Sequence, residues 1–518
     1  MIAAFRAGRH LIRLLSIAAI LARYDAMFPL ARVNGARPLV WWFHLWRRRG
    51  AALRGLRPGQ RLALAFQAMG PAFIKLGQAL STRADLIGEQ MADDLAQLQD
   101  RLPPFPSEAA RRAIEGELGK PIAELFAAFS DEPVAAASIA QVHFARTIEG
   151  EAVAVKVLRP GIAAAMARDL DLFNWLAHLA ERWQPSLRRL KPVAVVETMA
   201  ETVRVEMDLR LEASAAAELR DNFADDETFR VPRVDWARTG RGVLTLERVG
   251  GIRVDDKAAL LAAGFDLREL LSRAAASFFR QVFRDGFFHA DLHPGNLFID
   301  RDGALVAVDF GIMGRLDRAT RFYLADMLVA FLNRNYRRVA EVHFEAGYVP
   351  RDQSLEAFAQ AARAVGEPIF GRPLADISIG RLLAQLFQVT EQFEMETQPQ
   401  LLLLQKTMVL VEGMGRQLDP STNMWLLARP LVEDWMRANR GPEARLRDMI
   451  AQSAEMLERL PVTLRRIEDV LTTIDEEGGL PLHPDALEAL AKRGAIEILG
   501  LPLWIIALAL AAIAIALW

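Results

Sequence analysis

The chain has 518 residues, with 63 Lys+Arg against 65 Asp+Glu, a formal net charge of −2, 52% hydrophobic residues and no cysteine. At about 150 residues per domain this length gives roughly three structural units, and the balanced charge argues against a nucleic-acid coat, which needs a Lys/Arg excess to neutralise phosphates. The missing thiols exclude a disulfide scaffold, cysteine-ligated zinc, iron–sulfur clusters and thiol catalysis, and they fit a reducing compartment.

At the N-terminus, Arg6, Arg9 and Arg13 flank an apolar run, Leu14–Ala22, that mimics a secretory signal. The run is short, no cleavage site follows, and Arg23, Tyr24 and Asp25 interrupt it, so a retained amphipathic helix is predicted. Trp41-Trp42-Phe43-His44-Leu45-Trp46 followed by Arg47-Arg48-Arg49 combines aromatic anchors with cations. That composition suits an anionic membrane surface as well as a helix packed on the domain with a solvated basic edge. Residues 1–59 are therefore read as a helical segment that either meets the membrane surface or packs on the domain. Residues 60–130 read as a helical extension, broken at Gly70-Pro71 and by the linker Leu102-Pro103-Pro104-Phe105-Pro106. Ser107 is expected to cap the next helix, which should end at Gly119.

The period then changes. Gln141–Arg146 and Ala152–Leu158 are β-rich runs around Thr147-Ile148-Glu149-Gly150, a predicted hairpin. One long helical stretch is expected around Val193–Asp221, and Gly242–Glu247 reads as a strand. Beyond Gly250-Gly251 the chain is mostly helical, except that Leu297–Ile299 and Leu305–Val308 bracket Asp302-Gly303 as a second hairpin. Residues 131–250 thus form a small β-containing lobe and 251–480 a larger helical lobe, an α+β class. At the end, Ile498–Trp518 carries no charge and would span about 32 Å as a helix, one bilayer core. Trp504 and Trp518 stand towards its ends and Lys492 and Arg493 precede it, so 496–518 is predicted to be a transmembrane anchor.

The chemistry concentrates in His289-Ala290-Asp291-Leu292-His293-Pro294-Gly295-Asn296, followed by Asp309-Phe310-Gly311. Phosphoryl transfer needs one carboxylate to orient the attacking hydroxyl, and an Asn and a second Asp to hold Mg²⁺ on nucleotide phosphates. The Asp291 to Asn296 separation is that of the kinase catalytic loop, and Asp309 opens an intact D-F-G after a strand. An HxDxH metal cluster of His289, Asp291 and His293 is the alternative, but it leaves Asn296, the D-F-G and the upstream lysine unexplained. That lysine, Lys156, alternates onto the face of its strand opposite Val153, Val155 and Val157 and is read as a grip on phosphates. It wants a helix acid, and Glu206, Asp208 and Glu212 are to hand, the last two at i,i+4. Ala135-Ala136-Ala137-Ser138 stands where kinases place their phosphate-covering glycines, and no A-P-E follows the D-F-G.

Taken together these motifs resemble the UbiB family of atypical protein-kinase-like proteins. Its KxGQ signature matches Lys75-Leu76-Gly77-Gln78, continued by Ser81–Leu86 and Leu98-Gln99-Asp100. Its alanine-rich loop matches Ala135–Ser138, and its ExD motif matches Glu206 and Asp208. Gly88 departs from the proline common after the D-L pair. By motif the resemblance covers residues 60 to 330. It implies an atypical protein-kinase-like, two-lobed fold with a helical N-terminal extension and a C-terminal transmembrane helix, in which the KxGQ helix covers the site where kinases dock peptides. It also implies Mg²⁺-dependent ATP binding and hydrolysis in support of ubiquinone biosynthesis at the bacterial inner membrane. Asp291, Lys75 and Gln78 would then be catalytic. Ala135, Ala136, Ala137, Ser138, Lys156, Glu206, Asp208, Glu212 and Glu247 would bind nucleotide, and Asn296 and Asp309 the metal. The implied partners are polyprenyl-phenol or quinone-precursor lipids, ubiquinone-biosynthesis enzymes and the membrane, with no nucleic acid. A small-molecule kinase of the aminoglycoside or choline type and a nucleotide-binding, non-catalytic scaffold are the competing readings.

Overall fold

A computed structural model describes residues 2–28, 55–81, 87–96, 103–183, 192–368, 398–419 and 424–440, with isolated positions such as Leu98 and Phe393 between them. The chain divides into two units, Met1–Trp435 and Met436–Trp518, and nearly all described residues belong to the first. Helix α1 (Ile2–Arg23) precedes three mutually packed helices, α2 (Pro58–Met69), α3 (Pro71–Ser81) and α4 (Glu89–Ala96). Gly70, at φ 110, makes the turn between α2 and α3, and Pro71 opens α3, where its missing N–H is no loss.

This extension does not form a core of its own. Phe66 and Met69 of α2 and Phe73 and Ile74 of α3 share one buried cluster with Ile139, Ala140, Met166 and Phe173 from the lobe that follows. Phe73 meets Phe173 edge-on, with centroids 4.9 Å apart. Each such side chain removed from water contributes about 1.5–3 kcal/mol, so burial itself fixes α3 against the β-containing lobe.

That lobe begins with α5 (Ser107–Leu118) and α6 (Ile122–Leu125) and is built on an antiparallel sheet ordered β1-β3-β4-β6, with β2 paired to β3. Its strands are β1 (Phe126–Phe129), β2 (Ala135–Ala136), β3 (Ala140–Thr147), β4 (Ala152–Leu158) and β6 (Val243–Glu247). Alternation along β4 buries Val153, Val155 and Val157 against Ile114 and Val243 and turns Lys156 to the opposite face. Between β4 and β6 run α7 (Ile162–Trp183), α8 (Pro192–Glu206), α9 (Leu209–Asn222) and β5 (Phe229–Arg230).

The stretch Val193–Asp221 is thus two helices, not one. Asp208 stops the first and caps the second, its carboxylate accepting from the Arg210 backbone N–H at 3.2 Å. Ser107 is likewise not the cap of its helix. Pro106 takes that position, and the Ser107 hydroxyl donates to Asp131 at 2.6 Å instead. Gly119 ends α5 in the left-handed conformation, at φ 67, as its place in the sequence requires.

The helical lobe contains β7 (Ile252–Arg253), α10 (Lys257–Ala262), α11 (Leu267–Phe279), β8 (Phe287–His289), β9 (Leu297–Ile299), β10 (Leu305–Ala307) and β11 (Met313–Arg315). Strands β9 and β10 form the second hairpin, flanked by β7 and by a parallel β5, while β8 and β11 make a separate ribbon. Helices α12 (Arg318–Leu332), α13 (Tyr336–Glu345), α14 (Leu355–Gly366), α15 (Pro399–Leu418) and α16 (Met424–Arg440) follow. Among the described residues no helix is long and apolar enough to cross a membrane. The predicted anchor 496–518, the aromatic and basic segment 41–49 and residues 441–480 lie outside the described residues.

Candidate active site

Lys156 on β4 donates to both carboxylate oxygens of Glu212 on α9, at 2.8 and 3.0 Å, and to Asp309 Oδ1 at 3.1 Å. Three residues drawn from a strand, a helix and a loop thereby meet at one ammonium. Burial opposes the Lys156 charge, but the Asp309 and Glu212 carboxylates outweigh it and hold the ammonium above its ordinary range. The Lys156 ammonium in turn holds the Asp309 carboxyl down at about 2. Asp309 is half exposed and lies at φ 64, a left-handed conformation that an aspartate adopts at a cost.

The loop around Asp291 is held by its own histidines. His289 is fully buried, with Nδ1 accepting from the Asp291 backbone N–H at 3.1 Å and Nε2 lying 3.3 Å from the Val308 carbonyl, which assigns the proton to Nε2. Burial holds this imidazole below its ordinary pKa and therefore neutral. His293 Nδ1 accepts from the Gly295 backbone N–H at 3.0 Å and closes the turn Pro294–Asn296. With both ring nitrogens of His289 committed to the loop, an HxDxH metal cluster has lost one of its ligands. The Asn296 amide nitrogen donates to the Asp291 carbonyl at 3.2 Å, so its oxygen is the atom with the right chemistry for a hard cation.

The KxGQ helix α3 is tied to the last residue of α8. Lys75 Nζ donates to Glu206 Oε1 at 2.8 Å, with both side chains largely buried, and Gln78 lies one turn further along α3. Asp208 does not share a helix face with Glu212. It lies before the first residue of α9, and its carboxylate is bidentate with the Arg210 guanidinium at 2.8 and 2.6 Å. Glu247 is also apart from the Lys156 cluster. Its side chain accepts from the Arg233 backbone N–H at 3.2 Å, and its register partner is Val153, whereas Lys156 faces Leu244.

Ala135 and Ala136 form β2, paired to Val142 and Gln141, and the Ala137 N–H donates to the Ala140 carbonyl at 2.8 Å, making the alanine-rich loop a tight hairpin. The Ser138 hydroxyl is buried, with no hydrogen-bond partner among the described residues.

Two residues that the sequence did not single out complete this geometry. Arg159 donates to the Ala137 carbonyl at 2.9 Å and to the Pro103 carbonyl at 2.9 Å, and its guanidinium lies over Phe105, which staples the linker from the helical extension onto the alanine-rich loop. Lys406 on α15 donates to Asp291 Oδ1 at 2.8 Å. Neither belongs to a local motif. Arg159 directly precedes a proline at a strand end, and Lys406 is 115 residues from its partner.

A small antiparallel sheet carrying a lysine paired to a helix glutamate, above a hairpin that joins the Asp291 loop to Asp309, defines an atypical kinase-like α+β protein. The ABC1 atypical kinase-like domain matches residues 97–343, and the UbiB helical domain matches 362–423. The "Probable protein kinase UbiB" of Marinobacter nauticus is 45% identical over 487 residues, covering 93% of this chain and 89% of that one. Its namesake in Aeromonas hydrophila is 47% identical over 413 residues, covering 79% and 76%. This chain belongs to the UbiB family. In fold it also resembles a solved structure, the complex of Rv3197 and erythromycin from Mycobacterium tuberculosis, at a TM-score of 0.50 and 23% identity, over 79% of this chain and 97% of that one.

Proposed function

We propose that the protein is a membrane-anchored atypical kinase or ATPase that binds and hydrolyses Mg-ATP to aid the processing of polyprenyl-phenol lipid precursors in ubiquinone biosynthesis. The observation that carries this reading is the convergence of Lys156, Glu212 and Asp309 within hydrogen-bond distance of one ammonium. Bound Mg-ATP supplies the transferable phosphoryl group. Asp309, ionised throughout the neutral range, and the Asn296 oxygen form the hard donor set that suits Mg²⁺. Lys156, kept charged by its two carboxylates, faces the nucleotide phosphates. Asp291 orients the attacking hydroxyl or water and accepts its proton.

The Lys75–Glu206 pair favours this reading over a soluble metabolite kinase, which has no use for a helical extension bonded to its nucleotide lobe. The C-terminal segment 496–518, by its apolar length, holds the protein at the bacterial inner membrane with the kinase-like part on the cytoplasmic side. Phenolic quinone-precursor lipids and the enzymes that modify them are the partners this placement implies.

The test measures phosphate release by the detergent-solubilised full chain, titrated with liposomes and with phenolic quinone-precursor analogues. Stimulation by both is expected. A rate that responds to neither contradicts the assignment to lipid processing.

A further inference from the structure

The loop from Asp291 to Asn296 carries no Lys or Arg of its own, and its histidine is spent on closing the turn. Phosphoryl transfer spreads negative charge over the oxygens of the moving group, and a site for it needs cations aimed at that charge. Lys156 is held by Glu212 and Asp309, and Lys75 by Glu206. Among the described residues the cation shown bonded to the Asp291 carboxylate is Lys406, and it comes from outside the kinase-like domain, on α15 within the segment matched by the UbiB helical domain.

Packing fixes the helix that carries this lysine. Helix α15 packs on α11 and on β11, and β11 pairs with β8, whose His289 supports the Asp291 backbone. At the far end of α15, Lys257 donates to the Leu418 carbonyl at 3.0 Å and closes the last turn. Lys406 is 45% exposed and Asp291 33%, so both are open to a ligand, and the long lysine stem can exchange a carboxylate for a phosphate oxygen without moving the helix. A base must lie about 2.6–3.2 Å from the nucleophile it serves. A cation bonded to that base is therefore within reach of the phosphoryl group the nucleophile attacks.

We propose that Lys406 recognises the terminal phosphate of the nucleotide, so that the helical domain completes the active site. The proposal rests on the phosphoryl-transfer reading above. In the ligand-free chain Lys406 holds Asp291. On loading, its ammonium turns to the γ-phosphate oxygens and releases Asp291 to act as base. The nucleophile's oxygen then forms a bond to the γ-phosphorus while the bond to the β,γ-bridging oxygen breaks. The electron pair leaves on ADP and the nucleophile's proton passes to Asp291. Lys406 remains charged throughout.

The experiment measures the affinity of the full detergent-solubilised chain for Mg-ADP and for the Mg-bound β,γ-imido triphosphate, in wild type, Lys406→Met and Lys406→Arg. A lost charge-assisted hydrogen bond predicts that Lys406→Met weakens the triphosphate about tenfold or more while ADP stays within about twofold. Lys406→Arg keeps most of the triphosphate affinity, and kcat for ATP falls about 100-fold in Lys406→Met alone. A purely structural lysine would lower both affinities together, and that parallel loss overturns the proposal, as does Lys406→Met turning over as fast as wild type. Asp309→Asn separates the two readings. If it abolishes Mg-dependent binding while Lys406→Met leaves the triphosphate preference intact, only the Lys406 proposal fails. A wild type that binds neither nucleotide sinks both.

Discussion

Lys75 and Glu206 meet at 2.8 Å where neither is well hydrated, with side chains 17% and 9% exposed. The attraction in such a place is offset by the cost of drying two charges, so the pair adds little net stability, but removing Lys75 leaves the Glu206 carboxylate buried without its counter-charge. Lys75→Met should therefore destabilise the chain by about 3 kcal/mol, and the double variant Lys75→Met/Glu206→Leu should recover most of that loss. Thermal melting of the three proteins checks this, and a single variant as stable as wild type would show that the pair is solvated. The sequence alone makes Lys75 look like a lysine on an apolar helix, because nothing local announces a partner 131 residues away. Lys156 was more legible, since the alternation of its strand puts it on the face opposite three valines. Asp291, Asn296 and Asp309 were legible through spacing. Lys406 was not, because its meaning arises only when a distant helix folds back onto the loop.

Among the helices, the close approach of α3 to α2 depends on Gly77. A Cβ there would lie 2.8 Å from Phe66 Cδ2 and 2.4 Å from Leu98 Cδ1, nearer than real Cβ contacts come. Glycine inside KxGQ therefore has a packing reason besides any catalytic one. Gly77→Val should force the helices apart and destabilise by about 1–3 kcal/mol. A melting temperature equal to wild type would contradict this. Both hairpins and the strand before Gly250 could be read from their period and turn residues. The break at Asp208 was missed because the helical pattern continues across it without glycine or proline, and only the aspartate's capping bond marks the boundary. Ser107 misleads for the opposite reason. It has the composition of a cap, but Asp131 competes for its hydroxyl and Pro106 takes the position.

Three histidines, the buried His143 and His289 and the partly buried His343, have pKa values pushed down by desolvation and are neutral in the folded chain. Unfolded, each takes a proton as pH falls below about 6.5. The unfolded state binds more protons in that window, so the stability these groups confer is complete above about 6.5 and is lost as pH falls below it. The melting temperature should be lower at pH 5.5 than at pH 7.5, and a flat or rising profile on acidification would contradict the neutral assignment. The α+β class of the kinase-like fold was legible as a change of hydrophobic period. The docking of the extension through a shared core was not, because Phe73 and Phe173 are apolar helix residues like many others until they meet.

The proposed activity requires that Lys156, Asp291, Asn296 and Asp309 form a working Mg-ATP site. The most direct measurement is Mg-dependent phosphate release from ATP by the full detergent-solubilised chain and its Asp309→Asn variant, with and without phenolic liposomes. Lipid-stimulated hydrolysis in the wild type, falling at least about 100-fold in the variant, is the predicted result. Equal hydrolysis by the two proteins would contradict it.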